Sequence, residues 1–183
     1  MRVITGTARG RRLKELQGKD TRPTTDKVKE GMFNILQFDI EGRKVLDLFA
    51  GTGQLGIEAL SRGAVHATFV EQRNDAVRLI RENLELCEFT GTSRVVTGEV
   101  LGFLNSVREK YDLVFLDPPY ESDFAEKALA HIARHDLLTP HGIIMVESDK
   151  DKQLPALSAP YGIYREYRYG RVKLTVYHRE GEQ

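Results

Sequence analysis

KVLDLFAGTGQLGIEAL, residues 44–60, decides the fold. KVLDLF (44–49) is a short apolar run of the kind that forms a strand buried on both faces, and it stops at a glycine-rich turn. The chain then reads as a helix over Leu55–Arg62, with Leu55, Ala59 and Leu60 on one side and Gly63 as its stop. The same strand–turn–helix pattern continues downstream. HATFVE (66–71) is a second strand, and Asn74 or Asp75 is placed to cap a helix in which Val77, Ile80, Leu84 and Cys87 share a face. RVVTG (94–98) and DLVFLD (112–117) are the third and fourth strands, with a short helix near Leu101–Val107 between them. Ser122 or Asp123 starts a helix running through His135, and GIIMVES (142–148) is the fifth strand. Strict alternation of strand and helix predicts an α/β fold: a parallel sheet with helices on both faces.

The two ends depart from this pattern. RVIT and RRLKEL, separated by Gly6–Gly10, are expected to pair as a hairpin, followed by a helix with Val28, Met32, Ile35 and Leu36 as its apolar stripe. YGIYREYRY and RVKLTVYHR flank Gly170 and alternate, which predicts an antiparallel pair completing a seven-stranded sheet. A chain of 183 residues without repeats or long linkers reads as one domain, 1–183, made of a basic extension (1–24) on a core (25–183).

Composition narrows the function. Hydrophobic residues are 40% and charged residues 30%, too apolar for a disordered chain and too polar for a membrane protein. There is no secretory h-region, and one cysteine, Cys87, cannot form an internal disulfide, so a reducing cytoplasm is expected. Net charge is zero but uneven. Residues 1–30 hold nine basic and four acidic side chains, residues 31–160 hold 13 and 20, and residues 161–183 hold five and three. A basic end on an acidic body fits either a polyanion partner or a solvated tail.

The turn D47-L-F-A-G51-T-G53-Q-L-G56 matches G-x-G-x-x-G, a pattern shared by dinucleotide sites and therefore weak by itself. Asp47 argues against a pyrophosphate, because a carboxylate at the strand end repels phosphates. It suits a cation such as the ammonium and sulfonium of S-adenosylmethionine. Glu71, 20 residues after Gly51, can accept both hydroxyls of a ribose.

D117-P-P-Y120 follows the fourth strand, at the edge where open parallel sheets bind ligands. Pro118 and Pro119 cannot continue a ladder and stiffen the turn. The exocyclic amine of a nucleobase is a poor nucleophile because its lone pair is delocalised into the ring. A carboxylate (Asp117) and a main-chain carbonyl (Pro118) accepting its two N–H bonds expose that lone pair, while Tyr120 stacks on the base and orients it. A base must leave its stack to enter such a site.

VLDLFAGTGQLGIEAL with Glu71 resembles motifs I and II of class I S-adenosylmethionine-dependent methyltransferases, and DPPY resembles their (Asp/Asn/Ser)-Pro-Pro-(Tyr/Phe/Trp) motif for planar amino nitrogens. MRVITGTARGRRLKE, RPTTDKVKEGMFNIL, EALSRGA and YGRVKLTVYH extend the similarity over nearly the whole chain to the RsmD-type 16S rRNA (guanine-N2)-methyltransferases. That resemblance implies a Rossmann-like seven-stranded sheet, with S-adenosylmethionine as cofactor, S-adenosylhomocysteine as product, and no metal. It implies Arg22, Thr24, Asp47, Phe49, Gly51, Gly53, Glu71, Gln72 and Glu99 at the cofactor. Glu99 falls where such enzymes commonly place an Asp beside the adenine amine. Arg2, Arg9, Arg11, Arg12 and Lys14 are implied as phosphate contacts. The expected partner is 16S ribosomal RNA, within a small subunit or its assembly intermediate, engaged by a monomer away from any membrane.

The competing readings are an adenine-N6 nucleic-acid methyltransferase, a protein-glutamine methyltransferase, a NAD-binding oxidoreductase and a non-catalytic RNA-binding protein. Phe33 is expected in the core. His131, His135, His141 and His178 lack metal-ligand spacing. Tyr161, Tyr164, Tyr167 and Tyr169, interleaved with Arg165 and Arg168, fit either strand residues packed on the sheet or an RNA-stacking surface.

Overall fold

The computed structural model describes residues 1–18 and 24–181. Seven strands form one sheet: β1 (Lys44–Leu48), β2 (His66–Glu71), β3 (Ser93–Thr97), β4 (Tyr111–Leu116), β5 (Leu138–Asp149), β6 (Tyr161–Tyr169) and β7 (Val172–Arg179). Their order is β3-β2-β1-β4-β5-β7-β6, with β1 to β5 parallel and β7 antiparallel to both neighbours. Chain order reverses between β1 and β4, which opens a crevice at the carboxyl ends of those strands.

Alternate strand residues face opposite layers. Val45, Phe69, Phe115 and Met145 meet α1 (Asp26–Ile35), α2 (Gln54–Ser61) and α3 (Asn74–Leu86) on one side. Leu46, Leu48, Val70, Leu116 and Val146 meet α4 (Val100–Ser106) and α5 (Phe124–His135) on the other. Each fully buried large side chain contributes roughly 1.5–3 kcal/mol. Phe33, fully buried, sits in the core with its ring 5.5 Å from that of Phe115, as expected.

Local signals place the helix starts less well. Arg73, not Asn74 or Asp75, occupies the position before α3, and Asp75 accepts from the Ala76 N–H within the first turn. Asp123 precedes α5, but its side chain makes no capping bond; it pairs with Lys127 instead, at 2.9 Å.

The N-terminal segment corrects part of a second expectation. It does fold back antiparallel around an Arg2–Arg12 bridge, with Val3 N donating to the Arg11 carbonyl (3.0 Å), Gly10 N to the Val3 carbonyl (2.8 Å) and Leu13 N to the Met1 carbonyl (2.9 Å), but the pairing stops there and the segment packs onto the body as a hook. Val3, Ala8 and Leu13 join the core of the α1–α3 layer. Fully buried Glu58 of α2 clamps the hook, accepting from Ile4 N (2.9 Å), Thr5 N (3.0 Å) and Lys29 Nζ (3.2 Å). Lys29 Nζ also donates to the Arg2 carbonyl at 3.1 Å. No helix among the described residues is long and apolar enough to cross a membrane.

Candidate active site

Each of the five parallel strands brings an acid to its carboxyl end: Asp47 in β1, Glu71 closing β2, Glu99 just past β3, Asp117 directly after β4 and Glu147 in β5. All five line one cavity of about 940 Å³. Register makes two of them neighbours. Leu116 pairs with Val146, so the next residues, Asp117 and Glu147, lie side by side.

The glycine turn supplies the floor. Phe49 has φ 58°, a left-handed conformation costly for a bulky residue, held by its ring against Phe124 at 5.6 Å. Gly51 (φ 59°) continues the turn and lines the cavity with Phe49. Gly53 is in the left-handed region too, at φ 82°, but it precedes α2 and faces Ile57 and Ile80 instead of the cavity. Glycine has no side chain to cap the helix, and Asp47 does that work across the turn, accepting from Gly56 N at 3.0 Å. Asp47 is only 1% exposed, and burial pushes its carboxyl up to about 8, against the pull of the Gly56 N–H and with a further push from Glu71.

Glu71 accepts from Gly51 N (2.9 Å) through one oxygen and from Arg73 N (2.9 Å) through the other, so it fixes the turn as well as lining the cavity beside Gln72. Glu99 lines the same wall, exposed, ahead of α4. Buried Asn83 of α3 ties this floor to the hook. Its amide donates to the carbonyls of Thr52 (3.0 Å) and Lys14 (3.1 Å), and its oxygen accepts from Lys14 N at 2.8 Å. The hook thereby borders the cavity through Met1, Glu15 and Leu16.

The opposite wall is Asp117-Pro118-Pro119-Tyr120. The Pro119 carbonyl accepts from Ser122 Oγ at 2.6 Å, which closes the turn. Tyr120 donates its hydroxyl to Glu147 Oε1 at 2.7 Å. Thr25 caps α1 through its side chain, and this turns the preceding Thr24 inward. Thr24 Oγ1 lies 3.2 Å from Asp117 Oδ2 and 3.1 Å from Glu147 Oε2. One hydroxyl has one proton, so both contacts are made together when one carboxyl is protonated. Burial, followed by the Glu147 charge, holds the Asp117 carboxyl well above the usual carboxylate range; the Thr24 bond opposes this and Asp47 adds to it.

Thr24, Asp47, Phe49, Gly51, Glu71, Gln72, Glu99 and the tetrapeptide are thus gathered around one cavity, Gly53 stands behind it, and Arg22 lies outside the described residues. Glu147 and Asn83 were missed. A glutamate in an otherwise apolar strand, GIIMVES, was the available signal for Glu147; a buried Asn on a helix gave none. Arg2, Arg9, Arg11, Arg12 and Lys14 are all exposed. Arg11 is engaged by Glu88 at 3.3 Å and by the Leu86 carbonyl, and Lys14 by Glu82 at 2.6 Å. Arg2, Arg9 and Arg12 form no ion pair among the described residues. Among those residues no cluster of His, Cys, Asp and Glu is arranged to hold a metal.

Sheet order, crevice and acid-lined cavity define a class I methyltransferase fold. The chain belongs to the family described as Conserved hypothetical protein 95, whose model matches residues 1–178, and which includes the RsmD-type proteins. It is 35% identical to ribosomal RNA small subunit methyltransferase D of Escherichia coli (strain K12), over all of this chain and 91% of that one. It is 39% identical to the protein of the same name from Haemophilus influenzae, over 84% of this chain and 81% of that one. The solved structure of Escherichia coli yhhF superposes with a TM-score of 0.88 at 36% identity, covering 100% of this chain and 99% of that one.

Proposed function

We propose that this chain transfers a methyl group from S-adenosylmethionine to the exocyclic N2 amine of a guanine in 16S ribosomal RNA, acting as a monomer in the cytoplasm on the small subunit or an assembly intermediate. The observation that carries the reading is the placement of Asp117 and Tyr120 on one wall of a cavity whose other walls hold Asp47 and Glu71.

The cavity suits the cofactor. Its volume of about 940 Å³ accommodates a nucleoside bearing an amino-acid arm. The charged side chains of the lining are acidic apart from Arg73, which favours a cationic ligand, whose approach would also favour the ionised form of Asp47, over a dinucleotide, whose pyrophosphate would meet Glu71 and Glu99. When bound, S-adenosylmethionine supplies an electrophilic methyl group on a sulfonium. Asp47 and Gln72 would face it with Phe49 and Gly51, Glu71 would take the ribose hydroxyls, and Glu99 would face the adenine amine. Thr24 reaches Asp117 directly, which favours a role in setting that carboxyl over one in holding the cofactor.

The acceptor is the work of Asp117, Pro118 and Tyr120. Asp117 and the Pro118 carbonyl take the two N–H bonds of the amine, Pro119 keeps the turn rigid, and Tyr120 orients the base. The two relatives named ribosomal RNA small subunit methyltransferase D favour ribosomal RNA over DNA or protein as acceptor. Arg2, Arg9 and Arg12 on the clamped hook, with Arg11 and Lys14 beside them, would meet phosphates and position the RNA without specifying its sequence.

Incubating the protein with methyl-labelled S-adenosylmethionine and unmethylated small subunits, their naked RNA, duplex DNA or ribosomal protein tests this reading. Digestion should place the label in N2-methylguanosine from the RNA or the subunit. Label in N6-methyladenine or methylglutamine would overturn the proposed acceptor.

A further inference from the structure

The sheet ends at β6, and that edge is unlike the rest of the surface. Gly162 to Glu166 are exposed in succession. Tyr161, Tyr167 and Tyr169 lean on the two cores, as strand packing requires, but Tyr164 does not. It is 58% exposed, and it stacks on His178 of β7 with ring centroids 4.2 Å apart and planes 10° from parallel. The Arg165 guanidinium lies 5.6 Å from the centre of the Tyr164 ring and 6.0 Å from that of Tyr167. Arg168 and Arg171 are exposed on the same edge, whereas Glu166 is turned to Lys173 at 3.6 Å. Burial holds the His178 imidazole below its usual range against the pull of Asp39, which favours the uncharged ring.

We infer that Tyr164, His178 and Arg165 form a second nucleic-acid contact, a platform on which an unpaired base of the RNA stacks while Arg165 and Arg171 meet its phosphates. A stacked aromatic pair offers a flat face to any base, and cations beside it match the backbone. A docked protein would favour a continuous apolar patch, whereas this edge alternates tyrosine with arginine. The platform is separate from the methyl-transfer cavity. His178 pairs with Ile143, four residues before Glu147 on β5, and β6 lies two strands away from β5. That places it about 13 Å down the sheet and about 10 Å across from Glu147. The RNA would then be held at two points, the hook and this edge.

The inference rests on RNA being the acceptor, so its test requires no methyl transfer. Binding of a fluorescent single-stranded oligoribonucleotide to the full chain, followed by anisotropy, is compared for the wild type, Tyr164→Ala, Tyr164→Phe and Arg165→Ala. Tyr164→Ala should weaken binding about tenfold, in line with the loss of one stacked base, and Tyr164→Phe should bind like the wild type. Arg165→Ala should weaken binding and flatten its salt dependence. S-adenosylhomocysteine affinity should be unchanged in all three variants, which shows that they remain folded. Undiminished RNA binding by Tyr164→Ala overturns the platform even if the wild type proves to be an RNA methyltransferase. Loss of ribosomal-protein binding with RNA binding intact would overturn it in favour of a protein contact.

Discussion

The hydroxyl of Tyr120 donates to Glu147 Oε1 across 2.7 Å, so the aromatic ring of the tetrapeptide after β4 is aimed by the end of the adjacent strand. The other oxygen of Glu147 reaches Thr24, which also reaches Asp117. The side chains proposed to bind the amine and to stack on the base are therefore set by one shared carboxylate.

Removing that carboxylate should cost catalysis more than cofactor binding. Glu147→Ala should lower kcat about 10- to 100-fold, the range expected for losing one charge-assisted hydrogen bond. Glu147→Gln, which keeps an acceptor for Tyr120, should recover part of the loss. Combining Glu147→Ala with Tyr120→Phe should cost little more than the worse single variant. Additive losses would mean that Glu147 does not act through Tyr120.

Asp117→Ala should abolish measurable methyl transfer while S-adenosylhomocysteine, titrated by calorimetry, still binds within a few-fold of the wild type. Equal loss of both would place Asp117 at the cofactor rather than at the acceptor.

Asp47 sets a pH dependence. Its carboxyl is held at about 8 in the folded chain against an ordinary 3.8. The folded state therefore keeps a proton that the unfolded state releases, and its contribution to stability falls as pH rises from about 4 to about 8, levelling off above that. Asp47→Asn, which retains an acceptor for Gly56 N, should flatten this decline and raise the ligand-free Tm at pH 8 by roughly 3 °C or more. Thermal melts between pH 5 and 9 check it, and an unchanged pH profile counts against the buried charge.

The Lys29–Glu58 pair should be expensive to break from one side. Both side chains are fully buried, and Lys29→Ala leaves Glu58 with less of its compensating charge. A loss of about 3–5 kcal/mol is expected from chemical denaturation. RNA affinity should fall as well, because the hook that carries Arg2, Arg9 and Arg12 is held by this pair.

Gly56→Ala tests packing just behind the cavity, since Gly56 does not line it but its neighbour Asp47 does. A Cβ at this position would overlap the Phe69 ring and press on Asp47 Oδ2 at 3.2 Å. Destabilisation of about 1–3 kcal/mol is expected, read from the denaturant midpoint.

The sequence by itself determined the alternation of strands and helices, the seven-stranded sheet and the positions of Asp47, Glu71, Glu99 and Asp117 at strand ends. Those are properties of short windows: a two-residue period within a strand, a 3.6-residue period within a helix, a glycine or proline at the turn. It over-extended the pairing of the hook, which stops at three backbone hydrogen bonds because Glu58 takes the Thr5 N–H that would continue it. Tertiary structure alone decided that Glu147 holds Tyr120, 27 residues away, and that Thr24 joins Asp117 and Glu147, 93 and 123 residues away. It also decided that Gly53 supports α2 rather than lining the cavity. Contacts of that kind come from strand order and register, which are settled by burying two whole faces of a sheet at once rather than by the residues on either side of a position.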